Sequence, residues 1–408
     1  MVGHSPRRIR VDPLVLPNLA TLESVEESLQ LVADSGGAPL QLSKDFVSRR
    51  KGALHDAARL QLLVTWARRA QDRYLHFHAA NAPDTVLAEL CDYSSGIAAL
   101  RLSDGVKVGD HSIGRREALA GAASKLLQTD QGLWRQIVRG RTIDFICVSG
   151  DKLQYLRPLF TVRNKLAVKR KDGMLQTLTS LSSFIAQGDA DLVPPTFIRA
   201  CAVFACELLK NTQEHATSDH KNQPYVEHVE GLILSGQQMD EDSYGADFEG
   251  HPRLREFWQR ERVPVRDGRG MAVRCLQLSF FDSGPGFASR ATGKLVEEIS
   301  PEDERNALFD SLRKNASSKR EPGAGNGLPD VLEALREAGG LISIRTGRCT
   351  CSTHSLLVKF ETLSTSLTGR QRRSPPLWER SSHSSYRSGD DARGTLIFCS
   401  WSVRANRV

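Results

Sequence analysis

The second half of the chain alternates apolar segments with polar turns. Apolar side chains recur every three or four residues over 197–216, which predicts a long helix, and Pro194 and Pro195 precede it where a helix tolerates proline. Uninterrupted apolar runs predict buried strands, and Gly339-Gly340 ends a further helix. The predicted strands are 229–235, 271–281, 341–346, 355–360 and 395–403, and the further helical segments are 294–314 and 329–338.

The first half has the same mixed character. Amphipathic spacing predicts helices, and short apolar runs bounded by polar residues predict strands. The helices are expected at 52–70, 85–99 and 113–138, and the strands at 40–42, 74–77 and 142–148. We therefore divide the α/β chain into a flexible arm (1–20), an α/β module of unknown function (21–174) and a second α/β domain (175–408). Polar insertions are expected at 237–270, as an enlarged hairpin loop, and at 362–393, as a flexible loop rich in Ser, Arg and Pro.

Composition narrows the class of protein. A chain of 408 residues that is 40% hydrophobic can bury two ordinary cores. Eight dispersed cysteines favour a reducing compartment, and neither a signal peptide nor an apolar run of membrane-spanning length is present, so we expect a cytoplasmic protein with no membrane partner. Cys349 and Cys351 form the one close pair, and no second Cys or His cluster at ligand spacing supports zinc.

The net charge of +7 suits a phosphate-bearing ligand or an acidic partner, and a nucleic acid is possible but not indicated. Positive charge is densest between Arg135 and Lys171, where the sequence contains ten Lys or Arg residues and only two acidic residues. This basic block is either a partner surface or a solvated face, and the latter is the commoner meaning of such a run.

An aspartate and two glycines follow the predicted strand at 271–281. Asp282 stands where the strand ends, and a carboxylate there can accept a hydrogen bond from an exocyclic amine such as that of adenine. Gly284 and Gly286 allow a sharp turn and close approach to a flat base. Alone, this pattern also describes an ordinary strand-ending turn.

The long helix carries a polar stripe. Glu207, Asn211 and His215 are four residues apart and so share one face. The Asn oxygen suits a hard cation such as Mg²⁺, and a Glu can orient and deprotonate a water molecule. The alternative is a half-exposed helix whose stripe meets solvent.

A glycine-rich segment, 315–329, precedes the helix at 329–338. Gly323, Gly325 and Gly327 alternate with other residues, and such a loop at a helix start favours anions. Lys319 adds positive charge that can reach a γ-phosphate. The spacing is not that of a P-loop, and no strand precedes it as a dinucleotide fingerprint requires.

Taken in order, these motifs resemble those of the GHKL ATPase superfamily (gyrase, a heat-shock chaperone, histidine kinases and MutL), whose ATP-binding domain has the Bergerat fold. The resemblance covers roughly residues 175–403. It implies a two-layer α/β sandwich with a mixed sheet and helices on one face. It also implies ATP and Mg²⁺ as cofactors.

The resemblance assigns roles to individual residues. Glu207 and Lys319 would be catalytic, Asn211 the magnesium ligand and Asp282 the adenine-reading residue. Further nucleotide contacts would come from His215, Gly284, Gly286, Ser317, Ser318, Lys319, Gly323, Gly325, Gly327, Leu328 and Thr395. Three departures from the family pattern stand out: Asn326 replaces a common leucine, the interval 237–270 is long, and the loop before Gly394 is long.

Three activities fit this resemblance. Glu207 favours ATP hydrolysis, with closure of the glycine-rich segment signalling to the N-terminal module, to a protein partner or within a homodimer. The same site would serve a serine or histidine protein kinase, for which His55 beside Asp56 is the candidate phosphorylated histidine. A nucleotide-gated interaction module without turnover is the non-enzymatic alternative.

Overall fold

The computed structural model describes residues 12–43, 46, 51–78, 80–161, 167–187, 193–265, 270–312, 327–338, 340–354, 383–386 and 392–402. The strands are β1 (Leu14–Val15), β2 (Leu40–Gln41), β3 (Tyr74–Phe77), β4 (Gly105–Val108), β5 (His111–Gly114), β6 (Thr142–Val148), β7 (Val229–Asp240), β8 (Val263–Pro264), β9 (Met271–Asp282), β10 (Leu341–Gly347), β11 (Cys349–His354), β12 (His383–Tyr386) and β13 (Ala392–Ser402). The helices are α1 (Leu22–Asp34), α2 (Ala53–Arg69), α3 (Pro83–Cys91), α4 (Ser94–Leu102), α5 (Arg115–Leu119), α6 (Ala123–Gln131), α7 (Trp134–Ile137), α8 (Lys171–Ala186), α9 (Pro195–His215), α10 (Glu241–Gly250), α11 (Pro252–Glu261), α12 (Phe287–Thr292), α13 (Pro301–Ser311) and α14 (Gly327–Ala338). The chain is therefore α/β, as predicted.

The first sheet contains β1 to β5 in sequence order. Its first four strands pair in parallel, and β5 returns antiparallel to β4. The expected flexible arm is wrong for its described part, because Leu14 pairs with Leu40 and Leu19 is buried in the core. Residues 1–11 lie outside the described residues.

The second, larger sheet has the order β12-β11-β10-β13-β9-β7-β6, with β8 beside β9. Every pair recorded in the described part of this sheet is antiparallel. The division at residue 175 needs correction at one strand: β6 lies within the expected N-terminal module, yet it pairs with β7 along its whole length. All seven residues of β6 are buried, so this strand requires apolar elements against both of its faces, and its position in the larger sheet provides them.

Helices cover the larger sheet on both faces. On one face, α8, α9 and α14 pack on side chains that include Leu278 and Phe280. On the other face, Ile233 and Phe281 join the core of the N-terminal module, and α2 crosses β7, β9 and β13. The expected two-layer arrangement with helices on one face thus needs correction, because successive residues of these strands are apolar and both faces require burial.

Polar contacts fix the start of α2 on the sheet. The Ala53 amide donates to Ser235 Oγ at 2.8 Å, and Ser279 Oγ donates to the Ala53 carbonyl at 2.9 Å. The first of these bonds satisfies one of the amides that a helix start leaves without a partner. The module and the larger sheet are therefore joined by specific contacts as well as by apolar packing.

Two predicted helices are interrupted. The helix expected at 85–99 is split into α3 and α4, which pack so closely that a Cβ added at Gly96 would lie 2.1 Å from the Leu90 carbonyl oxygen. The helix expected at 113–138 is divided into α5, a short 3₁₀ turn, α6 and α7. Gly132 ends α6 with a left-handed φ of 73°, a conformation that glycine adopts without strain.

The insertion at 237–270 is folded, contrary to the expected loop. It extends β7, forms α10 and α11, and returns through β8. Phe248, Leu254, Phe257 and Trp258 build a separate small core there together with Val273 of β9. These apolar residues lie among polar and acidic residues, so the average composition of the segment did not indicate the helices.

Other expectations fall outside the described residues. These are the strand at 355–360 and the part of the 362–393 insertion other than β12, Ala392 and Arg393. Among the helices in the described ranges, none is long and apolar enough to cross a membrane.

Candidate functional site

Polar residues form a row across one end of the larger sheet. Glu230 of β7 pairs in register with Asp282 of β9, and Thr346 of β10 pairs with Thr395 of β13. Leu396 pairs with Phe281, so Thr395 and Asp282 are the next positions along those two strands. Residues in register share a face, and Leu278 and Phe280 place the Asp282 position on the face covered by α9. The sheet therefore brings Asp282 beside position 395 and beside a second acid, Glu230.

The turn after Asp282 is tightly packed. The Gly284 amide donates to Asp282 Oδ1 at 2.8 Å. A Cβ added at Gly284 would lie 2.5 Å from Ala216 Cβ, and Gly286 has a φ of 84° with Thr346 Oγ1 2.9 Å from an added Cβ. Both glycines are thus required by contacts with α9 and β10, and they hold the turn against the end of α9.

Helix α9 runs from this turn to the start of α14. Ala216 follows the last residue of α9 and touches the turn, and Glu207 lies nine residues earlier, about 13 Å along the axis. Asn211 is half-buried between them. Lys171 of α8 is 3.7 Å from both Glu207 and Asp330 of α14, so Glu207 lies close to the first turn of α14.

The polar stripe of α9 is unequally buried. The Glu207 side chain is 15% exposed and also forms an ion pair with Lys210 at 3.2 Å. The His215 side chain is 42% exposed and lies 3.7 Å from Glu214. Glu207 and Asn211 are therefore more enclosed than His215, which faces outward at the end of the helix.

The glycine-rich segment is described only from Gly327 onward. Ser317, Ser318, Lys319, Gly323 and Gly325 lie outside the described residues. The Leu328 side chain is buried in the core between α14 and α9. The expected nucleotide contact of Leu328 stays a prediction, and it would involve the main chain because the side chain is buried.

Sequence reasoning missed two residues at the Asp282 corner. Glu230 is 2% exposed, and the Gln213 amide nitrogen donates to Glu230 Oε1. Burial, and then the nearby Asp282, raise the pKa of Glu230 well above its ordinary value, although the Gln213 bond opposes the shift. The sequence feature that could have identified Glu230 is that it is a single acidic residue inside the apolar strand predicted at 229–235.

The back of the turn is held by the N-terminal module. Arg68, at the end of α2, donates to the carbonyl oxygens of Glu227 at 2.8 Å and Ser283 at 3.0 Å. Ser283 Oγ lies 3.0 Å from His228 Nδ1. Burial and then Arg68 lower the pKa of His228 to about 3, so the ring is neutral at physiological pH. The module thus directly contacts the backbone of the candidate site.

His55, the candidate phosphorylated histidine, is fully buried. Its Nε2 lies 3.0 Å from Asp247 Oδ2, and burial lowers the pKa of the ring despite that contact. A phosphoryl donor cannot reach this nitrogen without opening the core, so the His55 assignment is wrong for this fold.

The basic block between Arg135 and Lys171 includes several residues that are engaged inside the chain. Arg139 forms two 2.7 Å hydrogen bonds with Asp92. Arg157 binds Asp130 at 2.9 Å, and Arg141 donates to the Ile185 carbonyl at 3.0 Å. These contacts account for part of the block as structural ion pairs and backbone caps.

Within the described residues, no group of three or more His, Cys, Asp or Glu side chains has the arrangement of a metal site.

Comparison of the chain with models of protein families, with curated proteins and with solved structures found no match.

Proposed function

We propose that this protein binds Mg·ATP between α9 and the polar end of the larger sheet and hydrolyses it. One observation carries the proposal: the residues expected to contact adenine, metal and γ-phosphate follow one another along α9. The Asp282 turn touches Ala216, Asn211 lies farther back along α9, and Glu207 lies about 13 Å from Ala216 beside α14. A nucleotide bound along this helix would meet them in that order.

Each residue has a role that fits its chemistry. Asp282 accepts a hydrogen bond from the exocyclic amine of the base, since an ionised carboxylate has lone pairs for both a ligand and the Gly284 amide. Asn211 offers a neutral oxygen to Mg²⁺, which neutralises phosphate charge when bound. Glu207 orients the attacking water and accepts its proton.

The surroundings of Glu207 also suit a phosphate. Lys171 and Lys210 both lie within 4 Å of its carboxylate, and their side chains are 48% and 45% exposed. Exposed ammonium groups exchange partners at little cost. A triphosphate arriving here would draw these lysines away from Glu207 and leave its carboxylate to bind water.

The experiment measures binding and turnover of γ-labelled ATP with magnesium. Asp282→Asn keeps one acceptor oxygen, for which the Gly284 amide and the base amine compete, and replaces the other oxygen by an NH2 donor. It should weaken ATP binding roughly a hundredfold, because a mismatched polar contact leaves buried groups unpaired. Glu207→Gln should retain binding and slow phosphate release roughly a hundredfold. Glu214→Gln, on the same helix but with an exposed side chain, is the matched control and should change neither.

The same assay separates the alternatives. Transfer of label to protein would indicate a kinase, and binding without any product would indicate a nucleotide-gated interaction module. If the unmodified protein does not bind ATP, the proposal is wrong. A protein partner or homodimer that responds to the nucleotide remains part of the proposal, and the contact of Arg68 with the Ser283 carbonyl offers the N-terminal module a direct connection to the site.

A further inference from the structure

Glu230 is an acid where the fold alone does not need one. It lies on the face of β7 that packs against α9, beside Leu232 and Leu234, which belong to the apolar core. It is 2% exposed and stands opposite Asp282 in register. A buried acid is costly unless its polar atoms find partners.

Only one of the two carboxyl oxygens of Glu230 has a hydrogen-bond partner among the described residues. Its Oε1 accepts from the Gln213 amide, whereas its Oε2 is buried and has no hydrogen-bond partner within the residues that the structure describes. The Gln213 Oε1 is also buried and without a partner. Two adjacent polar atoms at the Asp282 corner are therefore left without a partner from the described part of the chain.

The protonation state of Glu230 follows from its position. Two carboxylates on adjacent strands in register repel each other, and burial penalises each charge. Asp282 has the more favourable position for the charge, because the Gly284 amide donates to it at 2.8 Å and it is slightly more exposed, at 7%. Glu230 is consequently the member of the pair that keeps a proton, and its Oε2 becomes a donor.

We propose that Glu230 is a second base-reading residue, whose neutral carboxyl donates from Oε2 to the ring nitrogen N1 of adenine while Asp282 accepts from the neighbouring exocyclic amine. This inference rests on the proposed function and specifies which base the site selects. The Watson–Crick edge of adenine offers a donor next to an acceptor, and that of guanine offers an acceptor next to a donor. The pair of acids matches adenine and opposes guanine.

The first test compares nucleotides on the unmodified protein by calorimetry with magnesium. The analogue 1-deaza-ATP carries C–H in place of N1 and keeps the exocyclic amine. It should bind roughly tenfold more weakly than ATP, because the Glu230 hydroxyl loses its partner. The analogue 7-deaza-ATP alters the opposite edge of the base and should bind like ATP. Equal affinity for ATP and 1-deaza-ATP would overturn the inference.

Two variants assign the effect to Glu230. Glu230→Gln keeps a carbonyl for Gln213 and presents an amide donor in place of the hydroxyl, so the tenfold difference between ATP and 1-deaza-ATP should persist. Glu230→Met has a similar length without a donor, so the difference should disappear. A difference that survives in Glu230→Met would assign the N1 contact to another group and refute the role of Glu230.

The outcomes separate this inference from the proposed function. If ATP does not bind to the unmodified protein, both are wrong. If ATP binds and depends on Asp282 but 1-deaza-ATP binds equally well, only the role of Glu230 is wrong. Should Glu230→Met fail to fold, equal affinity of the unmodified protein for ATP and 1-deaza-ATP would still refute the role of Glu230.

Discussion

Two acids are buried to a similar extent in this protein, in opposite surroundings. The Asp247 side chain accepts from the Leu22 amide at 2.7 Å, Lys51 at 2.8 Å and His55 at 3.0 Å. In the described part of the chain, Glu230 has one hydrogen-bond partner, at Oε1, and its buried Oε2 has none. Burial alone would raise the pKa of both; at Asp247 the bonds from His55 and Lys51 outweigh it and lower the pKa to about 2, whereas that of Glu230 is raised.

The difference separates a structural acid from a candidate functional one. Asp247 is saturated by the chain and joins α10 of the insertion to α1 and α2. Glu230 has an unpaired buried oxygen among the described residues and lies beside the Asp282 turn, the row of polar positions and the stripe on α9, where we propose that the nucleotide binds. An unmet hydrogen bond in a packed interior points to a binding site more strongly than burial or charge alone.

The largest effect that would test this comparison is loss of the charge at Asp247. Asp247→Asn leaves Lys51 partly buried without a counter-ion, so we expect the free energy of unfolding to fall by about 3 kcal/mol. Urea unfolding followed by circular dichroism measures it. Asp242→Asn, on an exposed position of the same helix, should leave stability within about 0.5 kcal/mol. A neutral result for Asp247→Asn would mean that the insertion is held by its apolar core alone.

Glu230 should behave in the opposite way. Its folded-state pKa is raised, so the folded protein holds a proton that the unfolded chain releases above its own pKa. Stability from this group is therefore complete at low pH and is lost as the pH rises. Between pH 5 and 8 the unmodified protein should lose about 1 kcal/mol per pH unit relative to Glu230→Gln, until the folded pKa is reached.

The measurement is urea unfolding of both proteins at several pH values. Cys147 and Tyr155 also lie near Glu230 and titrate above this range, since burial raises the pKa of both. Glu249→Gln, at an exposed position of α10, is the control and should follow the unmodified protein. Parallel curves for the unmodified protein and Glu230→Gln would show that Glu230 is ionised in the fold, which would also remove its proposed donor.

Local patterns predicted local structure well. The strands at 74–77 and 142–148 and the long helix were predicted with bounds within two residues of those found, because periodic apolar side chains determine them. Strand pairing was harder to predict from the sequence, because nothing in 142–148 itself indicates that β6 pairs with β7. The helices of the insertion were missed because Phe257 and Trp258 are diluted by charged neighbours.

The residues of the candidate site likewise differ in how clearly the sequence indicates them. Glu207, Asn211 and Asp282 could be selected because each lies in a motif whose spacing is visible in the chain. Glu230 could not, since its meaning comes from register with Asp282, 52 positions away in sequence. A residue whose role arises from a neighbouring strand leaves no spacing signal of its own.

The smallest expected effect concerns stability at Glu207. Its partners Lys171 and Lys210 are about half exposed, and such ion pairs contribute little. Glu207→Gln should therefore change the free energy of unfolding by less than about 0.5 kcal/mol in urea titrations. The same protein should show the roughly hundredfold loss of phosphate release expected for a group that acts on water. A loss of several kcal/mol would instead mean that Glu207 is a structural acid, as Asp247 is, and that its contact with Lys171 holds α8, α9 and α14 together. The hydrolytic role would then lose its main support.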